Sequence, residues 1–268
     1  HYDLGNEFFA TFLDETMTYS AGCFASPETT LADAQVAKLE AICRSLGLGP
    51  DAHVLEIGTG WGSFALHAAG RHGCRVTTTT ISRRQHDLAV RRIEAAGLSD
   101  RVQVLLQDYR DLTGTFDAVA SIEMIEAVGH RYLPAYFGTI ARRLAPDGRA
   151  CVQAISMPDD RYEDYRRRSD FIQRWVFPGS CCPSLAAITA AMARGSDLRI
   201  TGLEDMGLDY ARTLAIWRER FEDRLPEIRA MDCDDRFIRM WRYYLACCEA
   251  GFAARYISVA RITMAHAG

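Results

Sequence analysis

Nowhere in this chain of 268 residues do two cysteines stand in a Cys-x-x-Cys pair, although nine are present. Cys23, Cys43, Cys74, Cys151, Cys181, Cys182, Cys233, Cys247 and Cys248 are scattered, and their two adjacent pairs suit neither zinc nor a disulfide. No metal is therefore expected, and buried free thiols in a reducing, cytoplasmic setting are the plainer reading. No apolar run approaches the roughly 20 residues that span a bilayer, and nothing resembles a secretory signal. Charge of one sign is also lacking: a net charge of −4 offers no electrostatic reason to expect nucleic acid as a partner. Internal repeats, linkers and low-complexity tracts are absent. The first residue is His1 rather than Met, which suggests a trimmed or processed chain. What is present is ordinary for a globular protein, 49% hydrophobic and 25% charged, and long enough for one large α/β domain.

From residue 31 to residue 156 strands and helices alternate. Leu31–Leu46 carries apolar residues at helical spacing and is stopped by Gly47 and Gly49. His53–Ile57, Arg75–Thr80, Val102–Leu106, Phe116–Ile122 and Ala150–Ile155 read as strands. Helices are expected at Ser63–Arg71, around Leu88 to Ile93, and at Leu133–Leu144, with Pro146-Asp147-Gly148 turning into the fifth strand. Continuous apolar strands alternating with helices imply a parallel sheet covered on both faces. After Pro158 the rhythm breaks. Asp159–Asp197 reads as helix interrupted near Pro178 and Pro183, and Leu198–Leu203 as a strand. Helices follow at Thr213–Arg229 and Asp234–Ala253, and Tyr256–Met264 alternates like a closing edge strand. The expected architecture is one domain: an N-terminal lid (1–30), a cofactor-binding core (31–156), a helical insertion on the substrate side (157–215), and C-terminal helices with a last strand (216–268).

The first strand runs into a glycine turn, Glu56-Ile57-Gly58-Thr59-Gly60-Trp61-Gly62. Glycines at alternate positions after a buried strand let a ligand lie against bare backbone. A dinucleotide site would show Gly-x-Gly-x-x-Gly, with an acid about 20 residues on for the ribose. Here the spacing is Gly-x-Gly-x-Gly, and strand two ends in Thr77-Thr78-Thr79-Thr80 with no acid, which argues against NAD. Gln107-Asp108-Tyr109 ends strand three, where a carboxylate suits an adenine amino group and an aromatic face its ring. S-adenosylmethionine fits this set, its amino-acid end lying against Gly58 and Gly60.

At this point the chain resembles the cyclopropane-fatty-acyl-phospholipid and mycolic acid cyclopropane synthases. The resemblance rests on His1-Tyr2-Asp3-Leu4-Gly5-Asn6, Met17-Thr18-Tyr19-Ser20, the glycine turn, Thr80-Ile81-Ser82 with Gln85, and Leu106-Gln107-Asp108-Tyr109. It continues through Glu123-Met124-Ile125-Glu126-Ala127-Val128-Gly129-His130, Phe177-Pro178-Gly179, Asp209-Tyr210 and Gly251-Phe252. It implies a class I methyltransferase, Rossmann-like fold with a mostly parallel seven-stranded sheet. Bacterial members of that family often carry a further N-terminal domain, and this chain begins just after the place where it would end. By the same resemblance Thr80 and Gln85 replace the missing acid, Tyr19 and Ser20 close over the cofactor, and Glu56, Trp61, Gly62 and Ile81 complete its site.

The implied chemistry is methylation of an isolated alkene in an unsaturated fatty acyl chain, carried on phospholipid or an acyl carrier. Attack on a sulfonium methyl builds carbocation character on the lipid, and a base must then take a proton. In the family resembled, that base is a bound bicarbonate, which carries over to Glu126, Tyr210, Gln153, Ile155 and Ala21. Glu123 remains open as the active carboxylate in place of Glu126. Two residues depart from the family pattern: Ala21, where cysteine or serine is common, and Gln153, where histidine is common. Glutamine donates a hydrogen bond but cannot become cationic. Cyclopropane formation is the leading expectation; a methylene or methyl-branched product, or another lipid-like acceptor, is the alternative. Phe171, Ile172, Trp175, Val176, Phe177, Leu185, Met206, Leu208, Trp217 and Phe221 are candidates to wall an acyl tunnel. Arg161, Arg166, Arg167, Arg168 and Arg174 form a basic patch suited to lipid phosphate at the inner membrane face. A homodimer is the expected assembly.

Overall fold

The computed structural model describes residues 4–268, so His1, Tyr2 and Asp3, which open the first family-like block, lie outside the described residues. A short helix, α1 (Asn6–Ala10), starts the chain. Helix α2 (Leu31–Leu46) follows; the Thr30 hydroxyl caps its start by accepting from the Asp33 amide, and Gly47, at φ +68°, ends it in the left-handed conformation that glycine takes at little cost. The core then alternates β1 (His53–Ile57), α3 (Ser63–His72), β2 (Arg75–Thr80), α4 (Arg83–Ala95), β3 (Val102–Leu106), β4 (Phe116–Ile122), α5 (Leu133–Arg143) and β5 (Leu144–Ser156). Beyond it come α6 (Asp159–Tyr165), α7 (Leu185–Gly195), β6 (Leu198–Asp205), α8 (Gly207–Asp223), α9 (Leu225–Ala230), α10 (Asp235–Ala253) and β7 (Ser258–His266).

The seven strands form one sheet in the order β3-β2-β1-β4-β5-β7-β6. β1 to β5 pair in parallel, and β7 runs antiparallel to both β5 and β6. The order reverses between β1 and β4, so a crevice opens beyond their carboxyl ends, the place where open α/β sheets bind ligands.

Four sequence expectations need correction. β7 is not an edge strand: it is inserted between β5 and β6, and Val259, Ala260, Arg261 and Ile262 are buried in succession. The edge strand is β6, which extends the strand expected at Leu198–Leu203. Strand five begins at Leu144, which pairs with Phe116 of β4, and the register then jumps past Pro146-Asp147-Gly148 to Ala118↔Arg149. The stretch 159–197 divides into α6, a π-helical turn at Ile172–Val176, and α7. The helix expected from Thr213 begins at Gly207, and it breaks before Pro226, which sits in the first turn of α9 where its missing N–H costs nothing.

Helices α1, α8 and α10 build an aromatic core of their own beside the sheet. Phe8, Phe12, Trp217, Phe221 and Trp241 are buried there, with Trp61 reaching in from the glycine turn. Of the residues expected to wall an acyl tunnel, Trp217 and Phe221 are fully enclosed in this core, while Trp175 and Leu208 are 54% and 56% exposed. Leu185 packs with α5 and α7 on the other side of the sheet. Among the described residues no helix is long and apolar enough to cross a membrane.

Candidate active site

The glycine turn sits at the carboxyl end of β1, with Gly58, Gly60 and Gly62 at φ +101°, +53° and +88°. A side chain at Gly58 would press within 3.2 Å of Met124, so the turn and the segment after β4 must touch through bare backbone. At Gly60 an added Cβ would meet nothing within 4 Å, which leaves an open cradle. The amides of Gly58 and Thr59 both donate to the Thr79 carbonyl, at 3.1 and 3.0 Å. Gly58 is therefore not the free donor expected for the cofactor carboxylate; its N–H closes the β1–β2 pair. Trp61 faces the lid: its indole N–H donates to Asn6 Oδ1 at 2.8 Å, and its ring packs on Phe9.

Each threonine of β2 is engaged. Thr77 meets His53, Thr78 donates to Glu56 Oε2 at 2.6 Å, Thr79 donates to the Gln107 carbonyl, and Thr80 donates to Gln85 Oε1 at 2.9 Å. Thr80 and Gln85 thus meet each other at the end of β2. Glu56 is held inside the strand pair, and burial pushes its carboxyl up to about 8 against the pull of Thr78 and Lys38. Beyond the ends of β2 and β3 stand Ile81, 70% exposed, and Leu106, 37% exposed, an apolar shelf for a flat ring. Gln107 is tied to the Asp111 carbonyl at 2.8 Å. Asp108 differs from expectation: both its oxygens accept from the Arg110 guanidinium, at 2.9 and 2.7 Å. Its hydrogen bonds to Arg110 hold its pKa below the usual range. Tyr109 lies edge-on to Tyr136, 5.7 Å between centroids, rather than standing free.

The lid crosses the crevice as Tyr19-Ser20-Ala21. Tyr19 and Tyr244 share a hydrogen bond of 2.8 Å between hydroxyls, and the Tyr19 ring lies 5.1 Å from Trp217. Ser20 is gripped by α2: its carbonyl accepts from Gln35 Nε2 at 2.8 Å and its hydroxyl from Lys38 Nζ at 2.7 Å.

Beneath the lid is a carboxylate, and it is Glu123. Its Oε1 accepts from the Ala21 amide at 2.9 Å and from Gln153 Nε2 at 2.7 Å; its Oε2 accepts from the Tyr210 hydroxyl at 2.7 Å. The expected grouping of Glu126 with Gln153 and Tyr210 is therefore corrected. Among the described residues Glu126 accepts only from the Ile155 amide, at 2.6 Å on Oε1, and its buried Oε2 has no hydrogen-bond partner. The cause is local: just past β4, Glu123 takes a left-handed turn at φ +49°, uncommon outside glycine, which sends its side chain under the lid.

The two acids have different environments. Glu123 faces three donors and the Lys38 charge, all favouring the anion, although burial raises its pKa overall. Glu126 has one donor, is buried, and lies beside the Glu123 charge, so its carboxyl is pushed up to about 8. Two nearby acids with separated affinities can hold one proton between them, an anion at Glu123 and an acid at Glu126. Around them stand Tyr210, Phe252, Trp217, Tyr19 and Tyr244, with Tyr210 and Phe252 4.5 Å apart. Burial lifts all three phenols far above their ordinary pKa, so they are neutral aromatic faces.

Lys38, Gln35 and Tyr244 were not singled out from sequence. The first two occupy the buried stripe of α2 between Leu31 and Leu46, a lysine and a glutamine among apolar positions, and that misfit was the available signal. Elsewhere, Cys43, His67 and His72 bring ligand atoms within 4.8 Å of one another, a grouping that spacing does not reveal; Glu40 Oε2 lies 3.1 and 3.0 Å from the two imidazoles.

The family profile described as mycolic acid cyclopropane synthetase matches residues 1–262. Tuberculostearic acid methyltransferase UfaA1 of Mycobacterium tuberculosis is 43% identical over 100% of this chain and 64% of its own length. Cyclopropane-fatty-acyl-phospholipid synthase of Escherichia coli is 39% identical over 97% of this chain and 65% of its own. The chain thus spans about two thirds of the length of these relatives. The solved structure of mycolic acid cyclopropane synthase CmaA1 complexed with SAH and CTAB superposes with a TM-score of 0.91. It is 28% identical, covering 98% of this chain and 95% of that one.

Proposed function

This chain belongs to the mycolic acid cyclopropane synthetase family. From that premise we propose that it transfers the methyl group of S-adenosylmethionine to a double bond of an unsaturated fatty acyl chain, with the Glu123 carboxylate as the proton acceptor. The observation that carries this reading is the convergence of the Ala21 amide, Gln153 and Tyr210 on Glu123. The resemblance assigns those three donors to a bicarbonate ion; here they hold a carboxylate of the chain itself.

The open cradle at Gly60, the Thr80–Gln85 pair and the Ile81–Leu106 shelf suit the methionine, ribose and adenine parts of the cofactor in turn. When bound, it supplies a sulfonium methyl, an electrophile strong enough for an alkene. The remaining work falls to the chain. Aromatic faces at Tyr210, Phe252 and Trp217 stabilise positive charge on the acyl chain, at about 2 kcal/mol each when desolvated. They do so without offering a nucleophile that would trap it. Glu123 adds an opposite charge, then accepts the proton whose loss leaves a neutral product. Tyr210 and Gln153 hold the carboxylate in place throughout.

The likeness to a tuberculostearic acid methyltransferase favours a branched product, and the likeness to cyclopropane synthases favours a ring. A second reading rests on Glu126, whose Oε1 holds the Ile155 amide while its Oε2 has no hydrogen-bond partner among the described residues: bicarbonate enters at Oε2 and acts as base. The deciding experiment feeds methyl-labelled methionine to cells expressing the protein and analyses their lipids by mass spectrometry and chromatography. Retention of three labelled hydrogens indicates a methyl-branched alkene, its proton lost from a neighbouring chain carbon. Retention of two indicates a methylene or a ring, which chromatography separates. No labelled lipid at all would overturn the proposal. Turnover of purified protein in bicarbonate-free buffer, unchanged on adding the ion, supports Glu123 as the base; strict dependence on the ion supports the second reading.

A further inference from the structure

Lys38 has no place in the chemistry above, yet it is 0% exposed and sits at the centre of the site's charges. An ammonium without a strong reason to be buried is costly, and its pKa is pulled down to about 8 by that burial. Lys38 donates a hydrogen bond to the Ser20 hydroxyl at 2.7 Å. Glu123, Asp14 and Glu56 stabilise its charge, and Arg261 opposes it. Gln35, one turn earlier on α2, holds the carbonyl of the same serine. The amide that follows is that of Ala21, which donates to Glu123.

We propose that Lys38 is a positioning residue for the carboxylate centre: through Ser20 it fixes the Ala21 amide over Glu123, and its charge keeps that carboxylate an anion. The inference rests on Glu123 being the base. An ammonium has donors only, so Ser20 must accept from it, and the serine's own hydrogen points elsewhere, free to donate to a cofactor carboxylate. The groups that face Glu123 are the Ala21 amide, Tyr210, Gln153, Lys38, the neutral phenols Tyr19 and Tyr244, and the protonated carboxyl of Glu126. Lys38 is the cation in that set, so its loss raises the affinity of Glu123 for a proton.

Two variants separate charge from hydrogen bond. Lys38→Met removes both; Lys38→Gln removes the charge and keeps a donor of similar reach. Each is assayed in the full chain with unsaturated phospholipid vesicles and labelled S-adenosylmethionine, as kcat/KM against pH. Calorimetric binding of S-adenosylhomocysteine and thermal melting are measured alongside. The expected result is that in both variants the acid limb of kcat/KM moves up by about one pH unit, as loss of a buried opposite charge requires. The difference from the parent protein then fades above about pH 8, where Lys38 itself gives up its proton. A uniform loss of activity with the limb unmoved, or a lowered melting temperature alone, would overturn the inference. Glu123→Gln is the control for the premise. If it turns over like the parent, Glu123 is not the base and the premise falls; if it is inactive while the Lys38 variants keep the parental limb, only the Lys38 role falls.

Discussion

Glu123 and Glu126 are three residues apart and chemically alike, and the fold gives them opposite work. The first is surrounded by groups that donate to it, so the anion is favoured; the second is left with one amide and a neighbouring negative charge. Glutamine in place of a carboxylate that must accept a proton removes the base, worth about 10²- to 10⁴-fold. We therefore expect Glu123→Gln to lower kcat by about that factor, with the KM for S-adenosylmethionine little changed. Glutamine in place of an acid that is already protonated is a near-isostere, so Glu126→Gln should cost less than tenfold. Steady-state kinetics on the two variants check this, and the reverse order of severity would refute it. Sequence left the choice between the two acids open for a physical reason: a left-handed turn at a non-glycine residue decides it, and no local pattern announces one. Tyr210, Gln153 and Ala21 were legible as a group, because the donors survive whichever acid they serve.

At the scale of elements, strands β1 to β4 were readable to the residue, since short β-branched and apolar runs between glycine, proline and polar punctuation have few other fates. The last strand was misplaced at the sheet edge because alternation reports which faces are covered, whereas position in a sheet depends on partners distant in sequence. The lid was harder still. Between α1 and α2 it has no regular hydrogen-bond ladder, and it is fastened by side chains of other elements. Ser63 donates to the Thr16 carbonyl, Arg220 to that of Leu13, and Arg92 to that of Glu15. Arg212 of α8 donates to the carbonyls of Ser26, Pro27 and Thr29 and lies over the Phe24 ring. Fastening of this kind permits local opening without global unfolding. Arg212→Ala should therefore increase the rate of limited proteolysis near residues 24–30 at least several-fold. Global stability should fall by only about 1–2 kcal/mol, typical of a few lost hydrogen bonds. Cleavage spread evenly over the chain would contradict a lid held separately.

For the molecule as a whole, a cluster of acids buried at the sheet's edge is a stability statement. Glu56 and Glu126 are both pushed up to about 8, against an unfolded value of about 4.3. Between those limits the folded protein keeps protons that the unfolded chain has released. Their contribution is thus fully present below about pH 4.3 and is lost as pH climbs toward 8. Half-buried histidines act the other way: the pKa values of His53, His67 and His130 are pulled down by partial burial, so they favour the folded state more as pH rises through their range. Lys38, lowered to about 8, also adds stability with rising pH, but above that value. The parent curve sums these opposed slopes, so the informative measurement is a difference. Urea unfolding of the parent and of Glu56→Gln or Glu126→Gln, compared from pH 5 to 8, should show each variant gaining on the parent as pH rises. Gaps that stay constant across that window would mean that the two acids are ionised in the folded protein, and the division of charge between Glu123 and Glu126 would have to be redrawn.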